Sequence, residues 1–588
     1  MTEAATERAG EQEKNPVQTV QNDSYTAQNA TGGSASQSRR EDDSDKTAVD
    51  SEEERPAGRS PLKIALIMLA LCFAVFLPAL DITIITTALP TIIEDFDSGA
   101  AYTWVGSAYL LGVAASSIVW AKLSDIFGRK PAILSANVTF FVGSLIAALS
   151  VNAGMLITAR AIQGIGGAGL NVLANICVGD LFSPRRRGVY YGIIGGVWAV
   201  AMSVGPLIGG AFTQNVSWHW CFYVNLPFNG LAFVIIFFFL DLKTPKTPLF
   251  DGIRAIDWTG VILSIGSTLM FLLGLSFGGE TYSWRSATVI CLIVFGFVGW
   301  VLCFVWEARM ATYPLMPTRI FKRIPNLAIL GVCFIQSYAY IASAYYLPLY
   351  FQAVLSADPI LSGVYLLPTA LSLSAASIAT GVYMGRTGQY LAPMYLGFLL
   401  QTLGYGLFID LGPTADWAKI ILFQIVTGLG VGPNFQAPMV ALQSFISPRE
   451  LAAATSAFAF TRNVAGSVSV VIGQVVLQNE MNRRRGLLAA ALGPQLAAEL
   501  GGSAAIANTQ LVRSLPPDQR DVAHRVFADS MRYIWIMYTA FSAPSLVLCL
   551  FVGRKKLSRE HRETVTGLEA EREAREERLR EEREKGRR

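Results

Sequence analysis

The sequence has few charged residues, and this shortage excludes the common soluble folds. Of its 588 residues, 15% are charged and 52% are hydrophobic, whereas soluble proteins carry about 25% charged residues. The mean hydropathy is +0.42, so a helical core within lipid is expected instead of a water-driven globule. The formal net charge is only +4, and no nucleic-acid partner is expected.

Motifs for nucleotide hydrolysis, metal binding and catalysis are also missing. No Gly-Lys pair occurs in the chain, so there is no Walker A loop and an ATP-driven pump is not expected. The seven cysteines include no Cys-x-x-Cys spacing, which argues against a zinc site and against a disulfide framework. Because no nucleophile–base or metal-ligand constellation accompanies them, we expect no enzyme, no metal and no cofactor.

The apolar residues are gathered into long runs that begin at Lys63. About fourteen runs of roughly 18–25 residues follow one another, and this length spans a bilayer. They predict an all-α membrane protein with about fourteen transmembrane helices. The expected spans are 63–88, 101–122, 132–151, 155–179, 188–213, 223–241, 257–277, 286–306, 327–352, 360–383, 391–411, 417–441, 451–477 and 531–552.

Basic residues mark the loops after the even-numbered runs, as at 185–187. Because cationic loops stay on the cytosolic side, both termini are predicted to be cytosolic and the loop 482–530 extracytosolic. Residues 1–62 are polar and predict a disordered tail. Residues 554–588 predict a charged tail in which Glu and Arg alternate at helical spacing. The plasma membrane is the expected location, with the vacuolar membrane as the alternative.

An internal repeat relates two parts of the chain. The glycines of 164–166 recur at 428–430, and the Ser-Pro-Arg sequence of 183–185 recurs at 447–449, both 264 positions later (164 to 428, and 185 to 449). Repeats that run in the same direction imply two bundles with a substrate site between them. The repeat predicts two six-helix bundles and an inserted helix pair, at 63–241, 326–553 and 242–325.

Five motifs resemble those of one family. The loop 121–131 (AKLSDIFGRKP) resembles the cytosolic loop signature of the major facilitator superfamily, with Ala121 where glycine is usual. Residues 160–169 (RAIQGIGGAG) and 205–210 (GPLIGG) resemble the fourth-helix motif of proton-coupled members and the fifth-helix motif of antiporters.

The last two motifs narrow the resemblance to one subfamily. Residues 80–90 (LDITIITTALP) are similar to the first-helix motif of the fourteen-span drug:proton antiporters. Residues 218–227 (WHWCFYVNLP) are similar to that subfamily's Trp-Arg-Trp…Asn-x-Pro element, with His219 in place of the arginine. The long polar head and the charged tail are similar to those of fungal toxin and multidrug efflux pumps.

The resemblance implies a secondary active transporter that exports amphipathic small molecules in exchange for protons by alternating access. Its partners would be the substrate, protons and the lipid bilayer, and the chain is expected to act as a monomer. Two alternatives stay open at this point: a siderophore or basic amino-acid carrier of the same fold, and a membrane sensor that binds a ligand without moving it.

Asp81 and Arg160 are the predicted proton-coupling residues. Both are expected inside the membrane, where a charge is costly and by default functional. An aspartate near the outer helix end that simply meets water is the alternative for Asp81. Arg462 also falls within an apolar run, either as a functional charge or nearer the cytosolic surface than the predicted boundaries place it.

The remaining candidate residues form three groups. Polar side chains in predicted helices are candidates for substrate binding, with helix packing as the alternative: Gln163, Asn171, Gln336, Tyr340, Ser343, Gln424 and Asn434. The resemblance implies a conformational latch at Asp125, Gly128, Arg129, Lys130 and Asp180. It also implies an antiporter bend at Gly205, Pro206, Gly209 and Gly210, where proline removes a backbone hydrogen bond.

Overall fold

The computed structural model describes most of the chain after residue 59. The described residues are 60–96, 101–242, 244–245, 247–279, 281–316, 318–501, 509–561, 566–570, 572–573, 575–576 and 580. The predicted disordered tail therefore lies almost wholly outside them. Within the described residues the fold is helical, and the β-structure is an isolated bridge between Gly278 and Tyr282.

The helices follow one another along the chain with short connections. They are α1 (Pro61–Phe96), α2 (Ala101–Phe127), α3 (Arg129–Ala148), α4 (Ala153–Leu181), α5 (Pro184–Asn215), α6 (Trp220–Tyr223), α7 (Asn225–Phe239), α8 (Leu249–Ala255), α9 (Trp258–Phe277), α10 (Ala287–Arg309), α11 (Arg319–Lys322), α12 (Ile324–Ala353), α13 (Pro359–Tyr365), α14 (Leu367–Thr387), α15 (Leu391–Phe408), α16 (Trp417–Phe445), α17 (Leu451–Arg483), α18 (Arg485–Leu492), α19 (Pro494–Glu499), α20 (Thr509–Ser514), α21 (Pro517–Ser542) and α22 (Pro544–Cys549).

Thirteen helical spans in the described part are long and apolar enough to cross a membrane, and they match the first thirteen predicted runs. The fourteenth run, 531–552, falls on the second half of α21 and on α22. These helices do not meet the same criterion because α21 begins in a polar segment and ends just before Pro544, which cannot continue its hydrogen bonds. The prediction of an all-α membrane protein is confirmed.

Helix packing repeats between the two parts of the chain. In the first part α1 packs against α5, and α4 packs against both α2 and α3; in the second part α12 packs against α17, and α16 packs against both α14 and α15. These are the pairs that the 264-residue repeat relates. Between the two parts, α5 lies against α14 and α16, and α2 lies against α17. The inserted helices α9 and α10 pack mainly against each other.

The repeated glycines explain why the same helices approach closely in both parts. A Cβ atom added at Gly164 would lie 3.0 Å from the carbonyl carbon of Tyr109 on α2. A Cβ atom added at Gly428 would lie 2.6 Å from the carbonyl oxygen of Thr369 on α14. Any larger residue would push these helices apart, so the glycines permit the interhelical contacts that hold a bundle together in lipid.

The loop 482–530 is folded where it is described, which its sequence did not predict. It contains α18, α19, α20 and the start of α21. Leu488, Leu492 and Leu500 are buried, in one apolar cluster with residues of α12 and α21. The segment thus forms a helical cover over one end of the second part of the chain.

The C-terminal tail begins by docking onto the loops at the opposite end. The backbone amide of Leu557 donates to the carbonyl of Gly388, just after α14, at 3.0 Å. The amide of Gly567 donates to the carbonyl of Asp125 on α2 at 2.8 Å. The tail therefore contacts both parts of the chain, whereas a solvated charged helix was the favoured prediction from its sequence.

Candidate functional site

A buried ion pair joins α1 to α4. Asp81 is 0% exposed and Arg160 is 1% exposed, and Nη1 of Arg160 donates to Oδ2 of Asp81. An unpaired charge at such a position would cost several kilocalories per mole, and pairing offsets that cost. The two residues predicted to couple protons are thus in direct contact.

Two amides complete the surroundings of the Asp81 carboxylate. The side chains of Gln163 and Asn225 each donate to Oδ1 of Asp81 at 3.1 Å. Gln163 also donates to the hydroxyl of Ser144 at 2.9 Å. The carboxylate accordingly accepts hydrogen bonds from three side chains, which come from α4 and from the first residue of α7. Both carboxylate oxygens therefore have hydrogen-bond donors, as a buried polar group requires.

The Arg160 guanidinium is held by further contacts on α2, α4 and α6. Its Nε donates to the carbonyl of Val105 at 3.1 Å, and Nη1 donates to Oε1 of Gln163 at 2.9 Å. Its Cζ lies 4.5 Å from the ring centroid of Tyr109 and 5.9 Å from that of Phe222. The aromatic faces attract the cation, so the guanidinium keeps one orientation towards Asp81.

A second ion-pair cluster lies where α2 ends and α3 begins. The Arg129 side chain donates to Asp125 Oδ1 at 2.5 Å, to Asp180 Oδ2 at 2.7 Å and to the hydroxyl of Ser124 at 2.9 Å. Arg129 is buried. One guanidinium therefore connects the ends of α2 and α4. Gly128, between the helices, has a φ of 94°, which a residue with a side chain rarely adopts.

The Gly-Pro stretch of α5 packs against both parts of the chain. The helix runs from Pro184 to Asn215 with Pro206 inside it. A Cβ atom added at Gly205 would overlap Thr83 Oγ1, and one added at Gly209 would lie 2.5 Å from Thr87 Oγ1; both threonines belong to α1. Side-chain atoms of Ile360 lie close to Gly210 and those of Pro206 to Gly363, so the same stretch contacts α13.

Comparison with known proteins identifies this arrangement. Residues 71–470 match the Major Facilitator Superfamily. The chain belongs to the major facilitator superfamily. It is 72% identical to the MFS-type transporter ppz2 of Metarhizium majus, over 90% of this chain and 91% of that one. It is 54% identical to the efflux pump dotC of Dothistroma septosporum, over 88% of this chain and 89% of that one.

A solved structure supports the same fold. The proton:xylose symporter XylE superposes with a TM-score of 0.53 at 12% sequence identity, covering 85% of this chain and 98% of that one. At this identity the likeness shows the fold alone. The predicted family and the predicted major facilitator fold are confirmed, and the chain is a multi-pass membrane transporter.

Several predicted substrate-binding residues of this transporter bond to neighbouring helices or within their own helix. Gln163 belongs to the Asp81 cluster, as described above. Ser343 donates to the carbonyl of Tyr340 at 2.9 Å and accepts from the Tyr405 hydroxyl at 3.3 Å. Gln424 accepts from the hydroxyl of Thr369 at 2.9 Å.

The other predicted residues divide between internal bonding and an aromatic cluster. The amide of Asn171 accepts from Asn175 on the same helix at 3.2 Å. Asn434 is buried, and its amide donates to the carbonyl of Met394 at 3.3 Å and accepts from the backbone amide of Phe398 at 2.9 Å. Gln336 and Tyr340 are also buried. Tyr340 contacts aromatic rings from two other helices.

The latch residues lie together with one exception. Lys130 directs its ammonium towards the ring of Phe237, with the nitrogen 5.6 Å from the centroid, whereas Asp125, Arg129 and Asp180 form the ion-pair cluster. Lys130 is half-buried. Its position agrees with ordinary anchoring of a cation near the membrane surface.

Asn225 is the residue of the Asp81 cluster that sequence reasoning did not single out. It is the asparagine of the Asn-x-Pro part of the motif at 218–227, and this motif could have marked it as a candidate. The sequence could not show that the start of α7 lies beside the middle of α1. Ser144 carried no sequence signal, since single serines are common in helices that cross membranes.

Proposed function

We propose that this transporter exports amphipathic small molecules in exchange for protons. The observation that carries the proposal is the buried Asp81 carboxylate, bonded to Arg160, Gln163 and Asn225. The named efflux relative, dotC, supports the direction of transport. We further propose a monomer in the plasma membrane with both termini in the cytosol.

Proton coupling follows from what protonation does to this cluster. A proton on Asp81 removes its negative charge and leaves the Arg160 guanidinium without its ionic partner. Removing one partner of a buried ion pair costs about 3–5 kcal/mol, which is enough to change the relative populations of two conformations by more than a hundredfold. Protonation therefore favours a conformation in which Arg160 has other surroundings.

Exchange requires that proton and substrate binding oppose each other. When Asp81 is ionised, the cluster is closed and the conformation that binds substrate is favoured. When Asp81 is protonated, the cluster opens and the substrate-bound conformation is disfavoured. Such negative coupling between two ligands is the thermodynamic basis of antiport. The latch at Arg129 and the glycine contact at Gly205 are the contacts that alternating access would rearrange.

The test compares charge-removing variants in inside-out vesicles with an acidic lumen. Asp81→Asn keeps the size of the side chain but cannot titrate, so we expect it to bind a fluorescent amphipathic dye more weakly than the wild type does and to lose gradient-driven accumulation of the dye. Arg160→Ala is expected to lose accumulation too. Gln424→Ala, at the repeat position of Arg160, should lose less accumulation than Arg160→Ala. Wild-type accumulation by Asp81→Asn would show that the coupling group lies elsewhere.

The same vesicles distinguish the alternatives. A siderophore or basic amino-acid carrier would leave the amphipathic dye outside and accumulate its own hydrophilic substrate. A sensor would bind the dye with no accumulation under any gradient. Gradient-dependent accumulation of the dye is the outcome that the proposed exporter requires.

A further inference from the structure

Arg462 on α17 is a cation inside the membrane-spanning region without a carboxylate partner among the described residues. Its guanidinium donates to the backbone carbonyl of Phe435, and its Nε is buried without a hydrogen-bond partner in the part of the chain that the structure describes. Arg160 and Arg129, in contrast, each bond to carboxylates. A guanidinium without a carboxylate partner at such a position is costly and by default marks a functional group.

Aromatic rings surround this guanidinium. Its Cζ lies 4.6 Å from the ring centroid of Phe435 and 5.1 Å from that of Phe458. The Phe435 ring also packs against Trp198, with centroids 5.6 Å apart, and against Tyr340, with centroids 5.7 Å apart. The cation therefore lies at one side of a group of flat rings.

A second unpaired donor is carried by α12. Gln336 is 1% exposed, and its Nε2 has no hydrogen-bond partner among the described residues. Gln336 precedes Tyr340 by four positions, so the two side chains share one face of the helix. A buried amide donor without an acceptor costs free energy, and an acceptor supplied by a ligand would offset that cost.

The internal repeat places this group between the two parts of the transporter. Trp198 on α5 and Arg462 on α17 are equivalent positions of the repeat (198 to 462, as 164 to 428). Both side chains contact the same ring, that of Phe435. In a transporter built from two such bundles, the substrate site lies at the interface between them.

We propose that Arg462 binds an anionic oxygen, a carboxylate or phenolate, of a planar aromatic substrate whose ring system packs against Trp198, Tyr340 and Phe435. Gln336 supplies a second donor to an acceptor on the same molecule. The guanidinium suits this role because it donates in a planar fork and stacks on aromatic faces. The inference rests on the proposed export function and names the class of substrate for it.

The test is an equilibrium titration of the purified full-length protein with two probes that share one planar ring system and differ in the charge of its substituent. The probes are pyrene carboxylate and its uncharged methyl ester, and the readout is quenching of tryptophan fluorescence. We expect the wild type to bind the carboxylate about ten- to a hundredfold more tightly than the ester, as for a charge-assisted hydrogen bond. Arg462→Gln should bind both probes with the affinity of the ester.

Two further variants separate binding from loss of structure. Arg462→Lys keeps the charge but not the fork, so part of the preference for the carboxylate should return. Arg483→Gln removes an exposed arginine of the same helix, which pairs with Glu480 at 2.8 Å, and should behave as the wild type. Trp198→Ala should weaken the binding of both probes equally, because it removes a ring contact and leaves the Arg462 guanidinium in place.

The titration tests the proposed substrate class independently of proton coupling, because no pH gradient is imposed on the purified protein. Equal affinity for the two probes in the wild type, binding of neither probe, or an unchanged preference in Arg462→Gln would each overturn it. If the preference is lost only in Arg462→Gln while Asp81→Asn still pumps normally, the substrate class stands and the coupling proposal fails.

Discussion

The contact between Gly205 on α5 and Thr83 on α1 predicts that a single added methyl group impairs transport. In Gly205→Ala, the new Cβ would overlap Thr83 Oγ1 and lie 2.8 Å from Thr83 Cβ and 3.1 Å from the backbone nitrogen of Ile84. The threonine hydroxyl already donates to the carbonyl of Leu80 at 3.1 Å. Because part of the obstacle is backbone, the helices must separate to admit the methyl group.

The expected magnitude follows from the cost of overpacking. Extra methyl groups in well-packed interiors cost about 1–3 kcal/mol. If α1 and α5 are apart in one access state and in contact in the other, the added methyl group destabilises only the state in which they are in contact. It then changes the balance between the states by about five- to a hundred-and-fifty-fold. Gly205→Leu should abolish transport.

The assay is the initial rate of dye efflux from intact cells, divided by the amount of protein in the membrane. We expect Gly205→Ala to retain a fifth of the wild-type rate or less, with normal membrane insertion. Gly106→Ala is the matched control, because a Cβ atom added at Gly106 would meet no obstructing atom within 4 Å. Adding Thr83→Ala to Gly205→Ala should restore part of the rate. Efflux at the wild-type rate by Gly205→Ala would refute the reasoning.

Three further predictions follow from other contacts. Arg129→Ala removes the guanidinium that pairs with Asp125 and Asp180 and should lower the transport rate at least tenfold, because removing one partner of a buried ion pair costs about 3–5 kcal/mol; Lys130→Ala should lower the rate less, and equal losses would contradict the latch. A tag placed in 482–530 should be accessible on intact cells, and access only after permeabilisation would contradict the topology. Burial lowers the pKa of His524, whose Nε2 lies 3.0 Å from Ser356 Oγ. The unfolded chain therefore binds a proton at His524 more readily than the folded protein does, so the folded state keeps its full stability above about pH 6.5 and loses stability as the pH falls. His524→Gln should reduce the fall in Tm between pH 7 and pH 5, and an unchanged fall would show that another group is responsible.

The sequence was sufficient for thirteen membrane-spanning helices and for the central ion pair. Long apolar runs reveal membrane spans directly, because each span must satisfy its backbone within itself. A buried charge requires a partner, and Asp81 and Arg160 were the charges that the first part of the chain offered. Their proposed role in proton coupling stays a prediction, as do those of the latch and of the glycines in α5.

The neighbours of these charges could not be read from the sequence. The position of Asn225 beside Asp81 depends on where α7 meets α1, and no local pattern encodes that distance. Trp198 became notable only because it contacts the ring that also contacts Arg462. The folded helices of 482–530 and the docking of the tail near Gly388 were missed for a similar reason, because their buried leucines pack against residues that are distant in the sequence.

Dye accumulation in liposomes tests the central claim, export driven by protons through Asp81, most directly. Purified protein is reconstituted into liposomes whose lumen is acidic. The dye carries no titratable group, so that the pH gradient alone cannot trap it in the lumen. The account predicts accumulation by the wild type that collapses with a protonophore, and only equilibration by Asp81→Asn. Accumulation that ignores the pH gradient, or that Asp81→Asn matches, would contradict it.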